Sequence, residues 1–134
     1  MLAVVVALVL GAGDADDVAA LVKSAKAFAD KADPSWTQQQ YDAYSNDVAA
    51  WRKEAASVQA RPTLAKNDAV ALLNARALVA DKYRTVLSTV PVPKSMEMLG
   101  ASAAWKDSIS KWQRSLAAES TSLKEKAKAL ASAK

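Results

Sequence analysis

"SWTQQQYDAYSNDVAAWRKEAASV", residues 35–58, carries Tyr41, Tyr44, Val48, Trp51, Ala55 and Val58 at successive spacings of three, four, three, four and three. A mean step of 3.5 residues holds these side chains on one side of an α-helix, which is how a helix meets other helices in a bundle. A β-strand would alternate with period two, and the stretch does not. Asn46, Asp47, Arg52 and Lys53 fall on the outer faces. The strip predicts an all-α chain and reads as a packing seam in preference to a ligand groove.

Outward from this strip the prolines mark boundaries. Pro34, Pro62, Pro91 and Pro93 all lie between periodic stretches, whereas a proline inside a helix would cost about 3 kcal/mol. The division predicts helices over about 14–31, 37–59, 63–90 and 95–133, forming an antiparallel up-down bundle of about four helices. Gly100 can detach a short first turn from the last helix and move its start to Ser102. Asp14, Asp16 and Asp17 sit at the positive end of the first helix, where they favour its dipole. Val18, Leu21, Val22, Ala25 and Phe28 form its apolar stripe. Ser35 or Thr37, with Gln38 or Gln40 three residues on, offers a capping box for the second. The third helix starts near Thr63 or Asn67, and Val70, Leu72, Leu73, Leu78, Val79, Tyr83, Val86 and Leu87 spread beyond one stripe, predicting neighbours on two sides. In the last, Trp105, Ile109, Trp112, Leu116, Leu123, Ala127 and Leu130 keep heptad order, and Glu119 occupies one seam position.

The chain has 134 residues, half of them apolar and a quarter charged, which suits a single globular domain over 14–134. It contains neither cysteine nor histidine. Disulfides, thiolate catalysis, Cys/His zinc sites, Ser-His-Asp triads and histidine-ligated haem are therefore excluded. The net charge of +4 is unevenly spread: the first 33 residues hold five acids and three lysines, the last 41 hold eight cations and four acids. Such a modest excess does not by itself indicate a nucleic-acid partner, and none is expected.

"MLAVVVALVLGAG", residues 1–13, is a signal-like segment. The apolar run Leu2–Leu10 would span about 14 Å as a helix, roughly half the hydrocarbon core of a bilayer. Small residues follow it where a signal peptidase would cut, after Gly13 or Ala15, although no Lys or Arg precedes the run. Export to the periplasm, cell envelope or exterior is the expectation.

Two stretches carry a resemblance. "SWTQQQYDAYSNDVAAW" sets an aromatic-Thr turn before aromatic and acidic positions at helical spacing, and "TLAKNDAVALLNARALVADKY" opens on a Thr-capped turn and closes on Tyr83. Over residues 18–87 the chain resembles small helical envelope proteins of Bacteroidota-type bacteria, many of them lipoproteins. The resemblance implies a helical fold and an envelope location, and it brings no catalytic residues. This chain has no cysteine for lipid attachment, so tethering of that kind does not carry over.

Candidate chemistry is sparse. Ser108 and Lys111 match a Ser-x-x-Lys pattern, in which a lysine one turn away takes the serine proton, but the companion motifs of such enzymes are absent. Asp42, Asp47, Glu54, Asp68, Asp81, Asp107 and Glu119 are scattered over mainly polar faces, with no converging pair. The "DADD" run lacks the glycine and closing glutamate of a calcium loop. Trp36, Trp51, Trp105 and Trp112 are accounted for by seams and, for Trp36, an N-terminal staple. The basic "KEKAKALASAK" end reads as a solvated face. No catalytic residue, cofactor or metal site is expected. The reading is a non-enzymatic bundle with a binding or adaptor role toward an unidentified protein, with an amphipathic lipid-surface protein as the alternative.

Overall fold

A computed structural model describes residues 13–31, 37–88, 90 and 92–133. The signal-like run, Ser35, Trp36, Pro34 and Pro91 lie outside the described residues. Every regular element among those described is helical: α1 (Asp14–Lys31), α2 (Gln38–Gln59), α3 (Lys66–Leu87), α4 (Lys94–Met98) and α5 (Ser102–Ser132). The five helices pack together.

Thr37 is the N-cap of α2. Its hydroxyl accepts the Gln40 amide N–H at 3.3 Å, and the Gln40 side chain accepts the Thr37 N–H at 2.9 Å. This reciprocal pair satisfies two of the amide donors that a helix start leaves open. α3 begins later than Thr63, at Lys66 behind Ala65, with no side-chain cap. The Thr63 hydroxyl is engaged elsewhere, donating to Asp14 Oδ2 at 2.7 Å.

The span predicted from 95 is two helices, divided at Gly100 with α5 beginning at Ser102, as the alternative start expects. α4 stops at Met98, and Gly100 takes a left-handed φ of 68°. There the Ala101 N–H bonds the Met96 carbonyl at 2.8 Å and the Gly100 N–H bonds the Glu97 carbonyl at 3.0 Å. This paired closure is a Schellman motif, and a glycine meets its backbone demand without the strain of a Cβ.

The quoted strip is buried in full: Tyr41, Tyr44, Val48, Trp51, Ala55 and Val58 all face the interior. α1 contributes Val18, Leu21, Ala25 and Phe28, with Val22 only partly covered. Phe28 meets Tyr44 edge-on at 5.9 Å and Trp51 at 6.4 Å, and Tyr44 meets Tyr83 at 6.0 Å. Edge-to-face pairs of this kind add about 0.5–1.5 kcal/mol beyond area burial. The Trp51 Nε1–H donates to the Leu21 carbonyl at 3.0 Å, so the indole is buried without stranding its donor.

α3 is the hub. Its backbone runs close beside α1, α2 and α5, while among the described residues neither α1 nor α2 comes as near to α5. Buried alanines on these faces, Ala25, Ala75, Ala77 and Ala80, allow close backbone approach, whereas the large rings of α2 hold that helix further off. α5 joins the main core through Ile109 and Leu116. Towards its end it packs on α3 through a smaller cluster, Leu73, Ala77, Leu123 and Ala127. None of the helices among the described residues is long and apolar enough to cross a membrane.

Candidate functional site

The residues singled out as candidate chemistry do not come together. Ser108 and Lys111 lie on the exposed face of α5, and the Lys111 ammonium is engaged by Asp107 at 3.0 Å. Among the described residues no group of three acids is placed to hold a metal ion. Trp51 is 1% exposed. Trp112, expected on the seam, is 37% exposed and leans on Tyr83 with ring centroids 5.0 Å apart. Its seam register places it at the edge of the α3–α5 contact, where α2 stands too far away to cover it. Trp105 is half-buried beside Leu87 and Ile109.

The acidic start of α1 has a structural role that the sequence did not disclose. Asp17 is 1% exposed, and Arg61 Nη1 donates to its Oδ2 at 2.6 Å and to Asp14 Oδ1 at 3.0 Å. This cluster fastens the α2–α3 turn to the beginning of α1. The hydrogen bonds from Thr63 and Arg61 hold the Asp14 carboxyl below its ordinary range. Burial pushes the Tyr41 and Tyr44 phenols well up, and the Ser45 and Tyr83 hydroxyls bond each other. The Tyr41 and Tyr44 phenols therefore stay neutral across the physiological range.

Two openings among the described residues are lined by arginines. The first is a groove of about 460 Å³ between the end of α3 and the first half of α5, with Arg84, Ser88, Ser110, Gln113 and Arg114 on its walls. Gln113 Nε2 donates across it to the Arg84 carbonyl and to Ser88 Oγ, both at 3.1 Å. Trp112 is the next residue on α5, and Met98 and Leu99 protrude at the α4–α5 corner, 87% and 80% exposed.

The second opening is a cleft of about 250 Å³ where α2, α3 and α5 meet, lined by Trp51, Arg52, Lys53, Arg76 and Glu119. Arg52, expected on an outer face, reaches Glu119 Oε2 at 2.5 Å. Arg76 is half-buried, and desolvation lowers its pKa against the pull of Glu119. The periodicity of α3 held the signal for this cleft, since Arg76 falls in step with Leu72, Val79 and Tyr83, where a seam calls for an apolar residue.

No family model, curated protein or solved structure matches this chain.

Proposed function

We propose that the protein is a non-enzymatic helical bundle of antiparallel up-down layout, acting by binding or as an adaptor in the cell envelope or the exterior. The observation that carries this reading is the α3–α5 groove: solvent-open, furnished with two arginines, an amide and hydroxyls, and flanked by the exposed Trp112. A mixed polar surface with an aromatic anchor is the make-up of a protein-docking patch. The layout is supported by pairs whose numbers rise on one helix as they fall on its neighbour: Phe28 with Tyr44 and Leu21 with Trp51, then Gln59 with Ala69 and Ser45 with Tyr83. The signal-like start and the resemblance over residues 18–87 support the location.

A photo-crosslinking side chain placed at Ser110, and separately at Lys26 on α1, tests this in the native host. A discrete protein adduct from Ser110 and none from Lys26 is expected. Equal labelling from both positions, or none from either, contradicts a docking role for the groove.

The second reading, a lipid-surface protein whose bundle opens on an interface, is favoured by Met98 and Leu99 protruding from the basic segment 94–134. Flotation with anionic vesicles separates the two. A cooperative melt without vesicle binding supports the adaptor. Vesicle binding with gain of helix and loss of cooperativity supports the lipid reading.

A further inference from the structure

Arg76 interrupts the apolar register of α3. Leu72, Val79, Tyr83 and Val86 lie on the same inward-facing seam at steps of four and three, and all are buried. A half-buried guanidinium at such a position loses part of its hydration, which a neighbouring anion would compensate. Glu119 lines the same cleft but is bonded to Arg52 at 2.5 Å. Among the described residues no carboxylate lies within ion-pairing distance of Arg76, and no side chain or carbonyl accepts a hydrogen bond from it. Arg52, Lys53 and Arg76 against Glu119 leave the cleft with two uncompensated positive charges.

We propose that the cleft between α2, α3 and α5 binds a small phosphate-class oxyanion, with the half-buried Arg76 as its anchor and Lys53 at its mouth. The cleft suits such an occupant by charge and by size. Its two excess positive charges match a dianion, and the planar fork of a guanidinium pairs two oxygens of a tetrahedral phosphoryl group. Its volume of about 250 Å³ lies just below the roughly 300–1,000 Å³ of clefts that enclose drug-sized molecules. Trp51 and Ala56 add apolar atoms to the lining beside Arg76. The inference is independent of the α3–α5 groove.

The experiment is a phosphate titration of the whole chain at constant ionic strength, read by melting temperature and by the ³¹P linewidth of inorganic phosphate. Wild type is expected to show a saturable rise in melting temperature and saturable line broadening, as a ligand bound only by the folded state requires. Phosphate also stabilises proteins without binding, but that rise does not saturate and is shared by every variant. Arg76→Met is expected to melt at or above wild type without phosphate and to lose the saturable response. Lys53→Gln, an exposed change that leaves packing intact, is expected to weaken apparent affinity about two- to fivefold. A purely structural ionic layer predicts the reverse: Arg76→Met melts lower and wild type shows no saturable phosphate response. That result, or an unchanged phosphate response in both variants, overturns the proposal. Should Arg76→Met not fold, the wild-type ³¹P titration and Lys53→Gln decide the matter alone.

Discussion

Asp17 and Arg61 show how much rests on single charged groups in a bundle made mainly of alanine and aliphatic contacts. A carboxylate as enclosed as Asp17 is tolerated because Arg61 meets it at 2.6 Å. Arg61→Ala removes that ion pair from an enclosed carboxylate. A measurable loss of stability is expected, tempered because the arginine itself is 31% exposed. Chemical denaturation of the variant measures it, and a loss within the error of wild type contradicts the role assigned to the pair. The acid limb of stability has a definite sign. The Asp14 and Asp81 carboxyls are held below the ordinary carboxylate range, Asp14 through its Thr63 and Arg61 bonds. Burial raises the pKa of Asp81, but its bond from Lys124 outweighs that, helped by the positive charge of Arg84. A depressed carboxyl contributes fully above its unfolded value and loses the contribution as pH falls through the folded one. Asp47, raised by burial, works the other way, since protonation relieves it. Melting temperature is expected to fall below about pH 4, less steeply in Asp14→Asn. A profile flat to about pH 2.5 would count against this assignment.

Among the elements, α5 is the one held least uniformly. Its first half shares Ile109 and Leu116 with the main core, while its end rests on the four-residue cluster with Leu73 and Ala77. The ties added there are exposed ones, such as Lys124 to Asp81 at 2.8 Å, and each contributes only about 0–1 kcal/mol. Amides of residues 123–132 are therefore expected to exchange faster than those of α2 and α3, by local opening that leaves the rest folded. Native-state hydrogen exchange reads this directly, and equal protection along α5 contradicts it. The periodicity of α2 was legible because large apolar residues recur there without interruption. The seams of α3 and α5 were less so. Alanines at 75, 77 and 80 carry little hydropathy signal, yet they are buried and set the helix spacing. Arg76, Glu119 and Ser120 fall in seam registers with polar side chains. The Arg61 cluster was hidden for a different reason: its partners lie 44 and 47 positions away, and no local pattern links them.

For the whole molecule, the main core surrounds α3 and takes in the whole of the regular α2 strip, so the binding surfaces proposed are the α3–α5 groove and the Arg76 cleft rather than that strip. Trp51 tests this most directly, because it lies at the centre of the strip, against Phe28 and bonded to the Leu21 carbonyl. The measurement is fluorescence of a variant in which Trp51 is the sole tryptophan, followed through thermal unfolding beside helical circular dichroism. The account predicts blue-shifted, quencher-resistant emission that is lost in the same transition as the helix signal. It also predicts that Trp51→Ala costs about 3–5 kcal/mol. Quencher-accessible Trp51 in a stably folded chain, with Trp51→Ala melting like wild type, would contradict it and make the α2 face a binding surface.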